Sequence, residues 1–145
     1  MTIERLTLEE IHELRVRVLR KGTPVTHATY VEDDYLDVVH LGLRENDVVI
    51  ATSTWFSKEC AEMPGVPAVQ LKGMAVSDVL QTSGHGRALI EAGVALALER
   101  DARVVWARAR DSAVGFYEKC GFIVVGDGFV DESTALPHHI VLRHL

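Results

Sequence analysis

The stretch Gln81-Thr82-Ser83-Gly84-His85-Gly86-Arg87-Ala88 decides how the chain is read, because a glycine-containing loop runs straight into a helix predicted over residues 87–100. That helix is largely apolar, and its small residues Ala88, Ala92, Gly93, Ala95 and Ala97 suit close packing on a sheet. Backbone N–H groups at a helix N-terminus point outward and the helix dipole favours negative charge there, so such a loop can hold an anion. Glycine lets that backbone approach a phosphate closely. The dinucleotide-binding pattern fails, since Leu89 stands where a third glycine or an alanine is required, and GxxxxGK[ST] occurs nowhere. By itself the loop reads equally as a phosphate cradle or as a tight turn without a ligand.

Upstream, a short strand leads into Thr7-Leu8-Glu9-Glu10, a capping-box pattern, after which Leu8, Ile11, Leu14, Val18 and Leu19 recur at helical spacing until Gly22 and Pro24. Residues 37–43 and 48–55 are β-rich runs joined by Arg44-Glu45-Asn46-Asp47, which predicts an antiparallel hairpin. A loop at residues 61–67 precedes a strand at 68–76. Downstream of the glycine loop, residues 104–107 have the continuous apolar character of a buried strand. Residues 112–120 read as a short helix stopped by Gly121, and 122–129 and 139–142 as closing strands. The order of strand, helix, three strands, helix, strand, helix and two strands describes an α/β protein with a mixed sheet flanked by helices.

At 145 residues and 16.0 kDa the chain fits one ordinary domain, and no repeat or Gly/Ser/Pro-rich linker divides residues 1–145. Hydrophobic residues make up 48% and charged residues 25%, which disfavours disordered and fibrous classes. The formal charge of −6 and scattered basic residues argue against a nucleic-acid or anionic-membrane binder. Neither a membrane-length apolar run nor a signal-peptide layout is evident, so a cytoplasmic location is expected. In that compartment Cys60 and Cys120 read as small buried hydrophobes, not a disulfide.

A second motif changes the odds for the loop. Gln81, Gly84 and Gly86 form Q-x-x-G-x-G, and one strand later comes Ala113-Val114-Gly115-Phe116-Tyr117-Glu118-Lys119-Cys120-Gly121-Phe122. In this order the two segments resemble the GNAT superfamily of N-acetyltransferases, whose loop Q/R-x-x-G-x-G/A is followed by A-x-x-F/L-Y-x-K-x-G-F. The resemblance extends to the element order over nearly the whole chain, and Gln70-Leu71-Lys72-Gly73-Met74-Ala75-Val76 is similar to the family's strand leading into the acyl-CoA loop. Small bacterial members of unassigned substrate look most alike. The resemblance implies the acyl-CoA N-acyltransferase fold, a mainly antiparallel twisted sheet flanked by helices.

It also implies acetyl-CoA as cosubstrate, with no metal, and a small-molecule or peptide amine as acceptor. Met74, Ala75 and Val76 would offer backbone groups to the pantetheine arm. Amides of Thr82, Ser83, Gly84, His85, Gly86, Arg87 and Ala88 would hold the pyrophosphate. The side chains of Arg87 and His85 read as a phosphate contact or a solvated first-turn residue, and as a loop side chain. Tyr117 is the implied acid for the departing thiol, and the Ala75 N–H the oxyanion donor. The phenol's reference pKa near 10 lies only modestly above a thiol's, roughly 8.5, so such a transfer is feasible in a dry site. The bland alternative for Tyr117 is a helix residue packed with Phe116 and Phe122.

No spacing singles out a general base among His40, Glu132, His138 and His139. Adjacent histidines on a strand point to opposite faces, so His138 and His139, even with Asp131 and Glu132 nearby, make poor joint metal ligands. Arg110 stands where many relatives carry an asparagine, and alternation puts it on one face with Arg108. The pair would favour an acceptor bearing a carboxylate or phosphate, or else would pair with the chain's excess acidic residues, such as Asp111 or Glu118. Relatives are often dimers, which leaves a homodimer open. The rival functions are a non-catalytic acyl-CoA binding or sensing module and, with little support, a nucleotide-binding regulatory domain.

Overall fold

The computed structural model describes residues 2–80 and 83–145. Its elements are β1 (Glu4–Leu6), α1 (Leu8–Leu19), β2 (Val39–Glu45), β3 (Val48–Ser57), β4 (Ala68–Val76), α2 (His85–Glu99), β5 (Val104–Arg110), α3 (Val114–Lys119), β6 (Ile123–Val130) and β7 (Pro137–His144). Short 3-10 turns lie at Val31–Asp34, Asp78–Leu80 and Asp111–Ala113. The strands form a seven-stranded sheet in the order β1-β2-β3-β4-β5-β7-β6. The β4–β5 ladder is parallel, whereas β1–β2, β2–β3, β5–β7 and β6–β7 are antiparallel. The chain divides into two compact units, residues 2–56 with Leu71–Ala95, and Ser57–Gln70 with Leu96–Leu145.

In the first unit, α1 begins as its sequence requires. The Thr7 hydroxyl accepts from the Glu10 N–H and the Glu10 carboxylate accepts from the Thr7 N–H, which satisfies two amides that the helix leaves open. Its buried face is Ile11, Leu14 and Arg15. The β2–β3 ladder runs to Glu45 opposite Val48, so the turn is Asn46-Asp47 and not the four residues expected. Both residues have positive φ, 52° and 65°, as a tight hairpin turn demands and as Asn and Asp tolerate.

The small residues of α2 have a concrete purpose at Gly93. A Cβ there would fall 1.9 Å from the Trp55 ring, so the helix backbone rests directly on the indole. Trp55 is fully buried and its Nε1 donates to Ser53 Oγ at 2.7 Å, which fixes the ring. Gly93→Ala gains about 1 kcal/mol of helix propensity but overpacks a rigid ring, at a cost of about 1–3 kcal/mol. For so short a contact the upper end applies, and thermal melting should show a fall of roughly 2–8 °C. A raised melting temperature would mean that the helix sits further from Trp55 in solution.

In the second unit, Ala68, Val69 and Gln70 of β4 pair with Val104, Val105 and Trp106. β5 pairs with β7 along its whole length, from Val104 opposite His144 to Arg110 opposite His138. β7 is therefore longer than the sequence suggested, because it also carries the β6 ladder. Cys60, Ala68, Val104, Trp106 and Leu142 form a buried cluster, with Trp106 Nε1 donating to the Lys58 carbonyl at 2.8 Å. Cys60 and Cys120 are buried and form no disulfide. Among the described residues no helix is long and apolar enough to cross a membrane.

Candidate functional site

The first unit contains most of the expected cofactor residues. Ala75 is buried and Met74 and Val76 half-buried at the end of β4, where Ser77 N–H donates to the Ile50 carbonyl at 2.8 Å. Gly84 has φ +87°, and a Cβ built on it would meet nothing within 4 Å. Backbone conformation, not crowding, is what calls for glycine there. The first turn of α2 closes with Ala88 N–H donating to the Gly84 carbonyl at 3.0 Å. The amides of His85, Gly86 and Arg87 precede that bond and face beyond the helix end, where the dipole is positive. Arg87 and Ala88 are exposed, His85 half-buried and Gly86 buried. Ser83 donates its N–H to the Leu80 carbonyl at 3.1 Å. Thr82, expected among these residues, lies with Gln81 outside the described residues.

Tyr117 belongs to the second unit, on α3, and is 7% exposed. Its ring meets Phe116 and Phe122 edge to face, at centroid distances of 5.2 and 5.3 Å. The Tyr117 carbonyl accepts from the Cys120 N–H at 2.9 Å and the Phe122 N–H at 3.0 Å, so the helix end is pinned. The aromatic packing foreseen as the bland alternative is present.

Arg108 and Arg110 lie in the same unit, and Arg108 pairs with an acidic residue as the alternative reading expects, though with neither of the two given as examples. Arg108 bonds neither Asp111 nor Glu118 but donates to Asp131 Oδ1 at 2.9 Å, and its guanidinium lies 4.6 Å from the Phe129 ring centroid. Burial pushes the Asp131 carboxyl up, but hydrogen bonds from Ser133, Arg108 and Thr134 outweigh it and hold the group well below the usual carboxylate range. Asp111 instead meets His139 Nδ1 at 2.7 Å. His138 stacks on Phe129 at 5.8 Å and places Nδ1 2.9 Å from the Leu136 carbonyl. The two histidines thus take different partners, and the described residues include no group of three His, Cys, Asp or Glu suited to a metal. Glu132 is exposed. A cavity of about 350 Å³ in this unit, lined by Met63, Val66, Arg103 and His144 among others, borders none of the expected site residues.

A buried polar network in the first unit went unnoticed in the sequence. Arg15 is fully buried and donates twice to Asp33, at 2.9 Å each. It donates further to Thr54 Oγ1 at 2.7 Å and to the Ala28 carbonyl at 2.9 Å. Asp33 also accepts from the Tyr30 N–H at 2.8 Å. Two cations lie over the Tyr30 ring, Arg15 at 4.6 Å and Lys72 at 4.5 Å from its centroid, and Lys72 pairs with Glu32 at 3.0 Å. Around this inward-facing charge the flanking apolar residues point outward, Val31 80% and Leu36 fully exposed. The available signal was phase: Arg15 lies four residues after Ile11 and one after Leu14, on the face that α1 buries.

His40, one candidate base, joins this network with Nδ1 2.8 Å from Thr54 Oγ1. Burial first, and then the Arg15 charge, lower its pKa against the raising effect of Asp33. A proton on His40 is therefore bound more weakly in the folded than in the unfolded chain, so stability is retained above about pH 6.5 and lost as pH falls below it. His40→Gln should flatten that loss in melting curves recorded between pH 7.5 and 5. An equally steep loss in the variant would place the sensitive group elsewhere.

Comparison with known proteins identifies the family and the fold. Residues 8–122 match the Acetyltransferase (GNAT) family, and the chain belongs to that family. It is 25% identical over 142 residues, 98% of this chain and 94% of the relative, to the "Uncharacterized N-acetyltransferase YitI" of Bacillus subtilis (strain 168). Its fold is similar to that of Escherichia coli ElaA, with a TM-score of 0.75 and 20% identity over 99% of both chains. It is similar too to an aminoglycoside 6'-N-acetyltransferase complexed with coenzyme A, with a TM-score of 0.73 and 10% identity over 99% and 97% of the two chains. The mixed, mostly antiparallel sheet is thus that of the acyl-CoA N-acyltransferases, and the family assignment makes the chain an acyltransferase.

Proposed function

We propose that this chain is a single-domain, cytoplasmic N-acetyltransferase that moves an acetyl group from acetyl-CoA directly to a primary amine on a small molecule or peptide. The observation that carries the reading is the start of α2, where Gly84 at φ +87° leads into the outward-facing amides of His85, Gly86 and Arg87. With open space around Gly84 and a positive dipole end behind it, these groups fit a diphosphate.

Acetyl-CoA supplies an acetyl group activated as a thioester. The amides of Gly84, His85, Gly86 and Arg87 bind its diphosphate, those of Ser83 and Ala88 being already spent on the Leu80 and Gly84 carbonyls, and the backbone of Met74, Ala75 and Val76 aligns the pantetheine arm. The Ala75 N–H donates to the carbonyl oxygen, where negative charge grows during attack. The neutral amine attacks the thioester carbon and the C–S bond breaks. Tyr117 gives its phenolic proton to the departing sulfur, and the proton shed by the acylated nitrogen returns through water to the phenolate. Arg108 and Arg110 are assigned to an acidic portion of the acceptor. For Arg108 that role is shared with its bond to Asp131.

Calorimetric titration with acetyl-CoA tests the reading, beside a thiol-release screen over amine classes. Gly84→Ala isolates the loop, since no atom lies within 4 Å to clash with a new Cβ. The left-handed conformation costs a non-glycine residue about 1–2 kcal/mol, so binding should weaken by about tenfold. Absence of binding to the folded wild type would overturn the cofactor assignment. Binding with no turnover on any amine would favour the sensing module instead.

A further inference from the structure

The Gly73 kink in β4 lies immediately before Met74 and Ala75 and has φ +65°. A Cβ built there would come within 3.1 Å of both Arg15 Nε and Tyr30 Cε2. Arg15 Nε is buried and has no hydrogen-bond acceptor among the described residues, so this edge of the guanidinium is given to the kink and the Tyr30 face. Lys72, the residue before the kink, covers the same ring while tied to Glu32. Tyr30 is in turn fixed through its N–H to Asp33, the carboxylate that holds Arg15. The cluster therefore reaches β4 at two residues, Lys72 through Glu32 and the Tyr30 ring, and Gly73 through its close approach to Arg15 and Tyr30.

We propose that Tyr30, held by Arg15 and Lys72, is a positioning residue that fixes the β4 kink and thereby aims the Ala75 N–H at the thioester carbonyl. The proposal rests on the acetyltransferase reading for the carbonyl, but not for the fixing of the strand. The ring works as an apolar wedge beside the kink, held there by attraction to the two cations that lie over it. Freed of it, a strand interrupted by a positive-φ glycine has alternative conformations open to it, and the amides that follow lose their direction. Asp33 and Thr54 act one step further back, by holding Arg15 in place.

The test compares Tyr30→Leu with Tyr30→Phe, which keeps the ring. In the protein without ligand, hydrogen exchange at the Gly73, Met74 and Ala75 amides should quicken by about tenfold in Tyr30→Leu and stay near wild type in Tyr30→Phe. Leu41 and Ala51 in the hairpin serve as references and should change by less than about twofold. With carbonyl-labelled acetyl-CoA bound, the thioester stretch should move toward its free value in Tyr30→Leu and remain at the bound value in Tyr30→Phe. Should Tyr30→Leu not fold, Lys72→Met removes one of the two cations and should quicken the same amides by about threefold. Unchanged exchange at residues 73–75, quickening spread evenly over the hairpin, or an unshifted carbonyl would each overturn the proposal. If the wild type binds no acetyl-CoA, the acetyltransferase reading fails, and the exchange pattern alone still decides whether Tyr30 fixes the strand.

Discussion

Replacing Tyr117 by phenylalanine is expected to lower kcat for acetyl transfer by roughly 10²–10⁴-fold, the usual contribution of a positioned general acid, while acetyl-CoA affinity changes by less than about twofold. The variant keeps the ring and hence both edge-to-face contacts, with Phe116 and with Phe122. Its loss of stability should not exceed the roughly 0.5–1.5 kcal/mol of one net hydrogen bond. Activity and stability are therefore separable at this residue. A phenolic acid acts on the departing sulfur and not on the bound cosubstrate, so kcat and kcat/KM should fall together and the dissociation constant should hold. Wild-type kcat in a folded variant would leave Tyr117 as a packing residue and move the proton donor to another group or to water.

Arg15→Met should be the most destabilising single change in the first unit. The guanidinium is fully buried and shares two hydrogen bonds with a carboxylate whose side chain is only 2% exposed. Removing one partner of such a pair leaves an uncompensated buried charge, which costs about 3–5 kcal/mol. For a chain of this size the melting temperature should fall by roughly 6–20 °C. Burial raises the Asp33 pKa, while hydrogen bonds from Arg15 and Tyr30 and the Arg15 charge lower it further, to a net value below the usual one. Without Arg15 the carboxyl should regain its proton more easily, and the variant should be least impaired in mild acid. Arg15→Met combined with Asp33→Leu removes both charges and should recover a good part of the loss, since apolar replacement of a whole buried pair is often tolerated. A loss below about 1 kcal/mol in the single variant would mean that water reaches the pair.

What could be read in the sequence was what depends on neighbours along the chain. The capping box at Thr7, the β2–β3 hairpin, the glycine start of α2 and the Tyr117 helix are all encoded within a few residues, and the element order followed from them. Boundaries shifted where pairing decided them. The hairpin turn shrank to Asn46-Asp47 because the ladder extends to Glu45, and β7 lengthened because two strands pair with it. Arg15 was missed because a charged residue in phase with Ile11 and Leu14 looks like an interruption of an apolar stripe. Its partner Asp33 is 18 residues away, in a turn without periodicity. Arg108 finds Asp131 across 23 residues, and no local pattern distinguishes that carboxylate from Asp111.

The inverted turn at Val31–Asp34 separates two tasks that most loops combine. Glu32 and Asp33 anchor it from within, while Val31 within the turn and Leu36 just beyond it face outward. Such a segment is a template whose outer face can be rewritten freely. Lineages, or a library randomised at 31 and 36, can explore new contacts there with little risk of unfolding the chain, whereas one change at Asp33 forfeits the whole platform.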